Sequence, residues 1–149
     1  MDPTPKPRGC TNFKLRQATR LVTQHYDNEV GKTGLKITQY SLLSHVISLG
    51  PLRPGDLARA MRMDASTLTR NLRPLQDAGW VEVVAGGDAR SRSVQVTDAG
   101  RAKRQEAQRH WRVAQDALNE RLGADRVVAL HSLLDETIAL LDTEAAARP

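Results

Sequence analysis

A mainly α chain carrying one small β-hairpin is what these 149 residues predict. Apolar residues recur at three- and four-residue spacing in six separate segments, and only one pair of runs is rich in β-formers, Trp80 to Val84 and Ser93 to Thr97. Glycine, proline or a capping residue stands at the junctions between them.

Residues 1–11, with three prolines, read as a flexible tail. Residues 12–33 place Phe13, Ala18, Leu21, Val22 and Val30 among polar groups, an amphipathic helix ending near Gly31 and Gly34. Thr38 is the expected N-cap of the next helix, with Ile37 as its hydrophobic staple. That helix runs through Tyr40, Leu42, Leu43, Val46, Ile47 and Leu49 and stops at Gly50-Pro51. Pro54 suits the first turn of a short helix whose inner face is Leu57, Ala58 and Met61. Arg62-Met63-Asp64 then forms a turn in which Asp64 caps a helix over residues 65–78.

At 100° per residue, Leu68, Leu72 and Leu75 share one face of that helix. Ser66, Arg70 and Arg73 fall opposite, flanked by Thr67 and Thr69. Pro74 removes one backbone hydrogen bond, so a bend or an early end is expected before the stop at Ala78-Gly79. The two β-runs are joined by AGGDARSR, whose glycines permit a hairpin. Thr97-Asp98 opens a long helix over 98–122 through Ala107, Trp111, Ala114, Leu118 and Leu122. A last helix, 125–146, carries Val127, Leu130, Leu134, Ile138 and Leu141 as a stripe too apolar to leave in water.

Composition narrows the function. Lysine and arginine exceed aspartate and glutamate by five, and the excess is +4 in residues 1–50, +3 in 51–103 and −2 in 104–149. An anionic partner is therefore expected, and the last third is not what meets it. Five aromatic residues leave too little stacking surface for a single-strand platform, so duplex DNA is the better partner. The single cysteine excludes an internal disulfide framework and a cysteine-rich metal site. No segment reaches the apolar length of a membrane span, and the start has no apolar signal region, so a cytoplasmic location is expected. His25, His45, His110 and His131 form no metal or nucleophile signature, and no phosphate-binding glycine motif occurs. No enzyme, metal or cofactor is expected.

A short helix, a three-residue turn, a second helix with inward leucines and outward Ser, Thr and Arg, then a hairpin: this order describes a winged helix-turn-helix. The 65–78 helix would enter the major groove, with Arg70 and Arg73 long enough to reach guanine or the backbone and Ser66, Thr67 and Thr69 making shorter contacts. The hairpin tip, with Asp88, Arg90 and Arg92, would lower Arg90 into the minor groove, oriented by Asp88.

ASTLTRNLRPLQDAGWV from Ala65 to Val81 and DARSRSVQVTDAG from Asp88 to Gly100, within this order of helices, resemble the MarR family of bacterial transcriptional regulators over residues 12–145. The resemblance implies a homodimer built by the first and the last two helices, a pseudo-palindromic operator, and release by a small molecule or by oxidation. It divides the chain into a tail (1–11), N-terminal dimerisation and scaffold helices (12–50), a winged helix-turn-helix (51–97) and C-terminal dimerisation helices (98–146). It also implies DNA contacts at Ser66, Thr67, Arg70 and Arg73 and a wing pair at Asp88 and Arg90.

Dimerisation has a physical motive too, because a two-fold axis buries the same apolar stripe twice. Two switches are open. A phenolic or anionic effector in the crevice between the dimer helices and the winged region would find Arg16, Arg20, His25, Tyr26, Tyr40, His45 and Trp111 as candidates. Alternatively Cys10, just before the first helix, would be oxidised, as in the redox-sensing OhrR-like branch, whose tyrosine pattern Tyr26 and Tyr40 match. That branch would place its sensor at position 12, an asparagine here, and another tyrosine where Arg16 stands. A winged helix that serves architecture or protein contact without any ligand is the remaining alternative.

Overall fold

A computed structural model of the chain describes residues 3–86 and 91–146. Helix α1 (Thr11–Val30) runs into a 3-10 turn (Gly31–Thr33); α2 (Ile37–Leu49), α3 (Pro54–Ala60) and α4 (Ala65–Asp77) follow. Strands β1 (Val81–Ala85) and β2 (Arg92–Val96) lead into α5 (Asp98–Leu122) and α6 (Ala124–Ala146). The fold is the expected one, mainly α with a two-stranded antiparallel hairpin as a wing.

One core holds the winged region. Leu42, Leu43 and Val46 of α2, Leu57 and Ala58 of α3, the three leucines of α4, Val81 of β1 and Val94 of β2 are all buried together. The strands pair Val81 with Val96 and Val83 with Val94, and Leu52 bonds Val94 through both backbone groups, closing the free edge of β2. Each strand begins and ends one residue later or earlier than the β-rich runs suggest, because Trp80 and Thr97 serve the neighbouring helices instead.

Thr97 is a junction. Its Oγ1 donates to the carbonyl of Gly79 at 2.6 Å and accepts from the amide of Gly100 at 3.0 Å, while its own amide bonds the carbonyl of Trp80. Gly79 closes α4 with φ of +78°, and the amide of Trp80 returns to Leu75 at 2.9 Å, the bond that ends a helix on a left-handed residue. Gly100 is required by contact: a Cβ there would lie 2.0 Å from the carbonyl oxygen of Trp80. The first turn of α5 is thereby clamped onto the end of α4 and the start of β1.

One local expectation, the cap of α2, is corrected, and two helix ends are made exact. Helix α2 starts at Ile37, so Thr38 lies inside it. The amide of Ile37 is taken by Asp27 of α1 at 2.7 Å and that of Lys36 by the Gln39 side chain at 2.9 Å. Helix α4 continues through Pro74 to Asp77; Pro74 is exposed, so the carbonyl that loses its donor lies on the wet side. The first helix is α-helical only to Val30 before tightening to 3-10, and Gly34 follows with φ of +84°.

Helix α1 packs along α5, whose small, buried Ala107 joins the core and whose Ala114 is buried beyond it. The seam is polar. His25 Nε2 lies 2.8 Å from the carbonyl of Ala114, Tyr26 OH donates to Gln115, and Glu29 meets both Lys32 at 2.8 Å and His110 at 3.0 Å. Burial raises the Tyr26 hydroxyl's pKa, and the Lys32 and His110 bonds hold the Glu29 carboxyl below the usual range. Helix α6 packs on α5 and has no buried residue among those described. No helix among the described residues is long and apolar enough to cross a membrane.

Candidate nucleic-acid interface

Helix α4 is positioned from both ends. At its start Asp64 Oδ1 accepts from the amide of Thr67 at 2.7 Å and from the hydroxyl of Ser66 at 2.8 Å. Those bonds, that of the Thr67 backbone foremost, lower the Asp64 pKa to about 2. At its end the Gly79–Trp80–Thr97 junction ties it to the wing. Leu68, Leu72 and Leu75 are at most 4% exposed, so the helix cannot rotate without opening the core. Arg70 and Arg73 are thereby committed to the outside.

Between α4 and the hairpin lies an open groove of about 810 Å³. Ser66, Thr69, Arg70 and Arg73 line it from the helix and Arg92 from β2, so five of the expected DNA-contacting residues share one concavity. Thr67 is half-buried at the flank. Asp88 and Arg90 lie outside the described residues. Three hydroxyls are already engaged: Ser66 and Thr67 bond Asp64, and Thr69 donates to the carbonyl of Ala65 at 2.9 Å. Gln76 and Asp77 also line the groove. Sequence reasoning passed over Gln76, although it stands three residues after Arg73 and so follows it up the same flank.

A second cleft, about 400 Å³, opens between α1, α2 and α5. Tyr26, Tyr40, His45 and Trp111 come together there, with Tyr40 and Trp111 stacked at 6.1 Å and 21°. The structure does not bring Arg16, Arg20 or His25 to it: the two arginines are exposed on the first half of α1, and His25 faces Ala114. Its cation is instead Arg104, 3.4 Å from Ser44 Oγ and 3.3 Å from Gln108 Oε1. The signal for Arg104 was its place two helical turns before Trp111 on the same face. Cys10 is exposed at the N-cap position of α1, and its side chain makes no capping bond.

The third surface is apolar. Leu15, Val22, Leu118, Leu122, Leu130 and Leu134 line a groove of about 280 Å³ between α1, α5 and α6. On other faces of α1, Phe13 is 58% exposed and Leu21 69%. Exposure of that order on contiguous helices marks a contact surface.

The chain is 33% identical to a transcriptional regulator of M. tuberculosis, MosR, whose crystal structure contains DNA; the match covers 87% of this chain and 98% of that one, with a TM-score of 0.72. The profile described as the MarR family matches residues 33–91. The chain belongs to the MarR family. A second relative, the multiple antibiotic resistance protein MarR of Salmonella typhimurium, is 29% identical over 116 residues, 75% of this chain and 79% of that one. A probable transcriptional regulator from Pseudomonas aeruginosa superposes with a TM-score of 0.77 at 27% identity, covering 85% of this chain and 96% of that one. The matched stretch of the MarR profile contains α2, α3, α4 and β1, and of the described residues that line the groove it leaves out Arg92 of β2.

Proposed function

We propose that this MarR-family transcriptional regulator works as a homodimeric repressor on a pseudo-palindromic duplex, and that a small anionic or phenolic compound releases it. The carrying observation is the groove in which Arg70 and Arg73 of α4 and Arg92 of β2 surround one concave surface. Helix α4 enters the major groove, Arg70 and Arg73 contact base edges or phosphates, and Arg92 meets the backbone beside it, with Asp88 and Arg90 completing the wing. Ser66, Thr67 and Thr69, whose protons are spent at the head of the helix, serve as acceptors only.

Dimerisation through α1, α5 and α6 covers the apolar groove and sets two α4 helices about one DNA turn apart, roughly 34 Å. The effector reading rests on the α1–α2–α5 cleft, where Arg104 supplies charge and the Tyr40–Trp111 stack an aromatic wall. Since α5 is clamped to α4 through Thr97, a ligand that favours one setting of α5 shifts the spacing of the two reading helices.

Selection of bound duplexes from a random pool at stated salt tests the reading. A sequence with a two-fold repeat is expected, and Arg70→Ala or Arg73→Ala should each weaken binding to it by about 1 to 3 kcal/mol. No enriched sequence, or one that both variants bind as tightly as wild type, contradicts it. In the same assay a benzoate-type acid should release wild type and fail on Arg104→Ala. Release by hydroperoxide of wild type but not of Cys10→Ser would put the redox switch in its place.

A further inference from the structure

On the side of α4 away from the wing, Lys36 at the N-cap of α2 and Thr38 and Gln39 within it face Arg70, Asn71 and Pro74 of α4 across a cleft of about 210 Å³. Among the described residues no carboxylate lines it. Lys36, Thr38 and Arg70 are all exposed, and the structure gives Lys36 and Arg70 no ion pair among the described residues. Two cations therefore stand on opposite walls of a polar cleft.

We infer that this cleft holds a phosphodiester of the DNA backbone, making Lys36 and Thr38 a positioning contact for α4. The inference rests on the proposed docking of α4 and extends it. A helix 10–12 Å across fills a major groove about 12 Å wide, so each flank of an inserted helix meets a phosphate ridge. On α4, Thr69, Arg73 and Gln76 belong to the wing-side groove, Asn71 and Pro74 to the cleft, and Arg70 lines both. Arg70 thus stands on the crest between two concavities, and a duplex seated on that crest lays one backbone along each. Arg92 meets the ridge on the wing side. Lys36 meets the other, with the Thr38 hydroxyl as a short donor beside it.

Such a contact carries charge and no sequence information. Its signature is an equal loss on every duplex together with a shallower salt dependence, because each neutralised phosphate contributes about 0.9 to the slope of log Kobs against log salt. The experiment titrates wild type, Lys36→Ala, Lys36→Arg, Thr38→Val and, as a control far from both concavities, Arg121→Ala, on the selected duplex and on an unrelated one. Circular dichroism confirms that each variant is folded.

Lys36→Ala is expected to lose affinity by the same factor on both duplexes and to flatten the slope by about 0.9 per protomer. Lys36→Arg should restore the slope, Thr38→Val should lose several-fold in affinity with the slope unchanged, and Arg121→Ala should match wild type. A Lys36→Ala protein whose affinity and slope equal those of wild type overturns the inference while leaving the α4 reading intact. Loss confined to the selected duplex also overturns it, since that would make Lys36 a base contact. Failure of wild type to bind any duplex overturns both.

Discussion

Helices α4 and α6 are both amphipathic and leucine-bearing, yet they finish folding differently. All three leucines of α4 are at most 4% exposed, whereas Leu133, Leu140 and Leu141 of α6 are 63%, 71% and 61% exposed. The difference lies in the partners within reach. Helix α4 closes onto α2, α3 and the hairpin, held by Asp64 at one end and Gly79 at the other; α6 packs mainly on α5, with the exposed Arg62–Asp142 ion pair as its link to the α3–α4 turn. The winged region therefore completes its core within one chain, and the terminal helices present apolar surface for a second.

The largest expected effect breaks the comparison at its folded end. Compared in a monomeric background, so that no second chain covers α6, Leu75→Ala removes a fully buried side chain and should lower unfolding free energy by about 2 to 5 kcal/mol in a urea titration, whereas Leu140→Ala should change it by less than about 0.5 kcal/mol. Similar losses at the two sites would mean that α6 is buried within the single chain after all.

A smaller effect sharpens how α4 is held. Asp64 has a folded-state pKa near 2, below its ordinary 3.8, so its capping contribution is present above about pH 4 and is lost as pH falls towards 2. Asp64→Asn keeps an acceptor at the N-cap and does not titrate. The difference between wild-type and Asp64→Asn thermal midpoints should hold constant from pH 7 to 4 and then shift against wild type down to pH 2. A difference that stays constant over the whole range removes the Asp64 carboxylate from the account.

The same contrast explains how much was legible in the sequence. The winged region is written in local chemistry: Asp64 three residues before the amide it caps, Gly79 just past the last turn, Thr97 at the head of α5, and Leu68, Leu72 and Leu75 on one face. Local spacing could not find the cap of α2, because its acceptor, Asp27, arrives from α1. For the same reason the cleft's cation was misplaced. Arg16 and Arg20 lie on α1 near the tyrosine Tyr26 in sequence, while Arg104 reaches the cleft only once α5 packs against α2. The DNA-facing row was legible because helical periodicity alone sorts Arg70 and Arg73 from the leucines. What periodicity does not show is that Lys36 comes to stand across from Arg70. The hydroxyls of Ser66 and Thr69 looked available because their acceptors, Asp64 and the Ala65 carbonyl, emerge only with the helix itself.

The central claim is that one chain supplies a finished reading unit and half of a dimer. The mass of the protein, free and bound to a selected palindromic duplex, measured by native mass spectrometry at micromolar concentration, tests it most directly. The account predicts a free species of twice the 16.4 kDa chain and a complex of two chains per duplex, both reduced to single chains by Leu130→Asp with Leu134→Asp. A wild-type protein that flies as a single chain, alone and on the duplex, would contradict it.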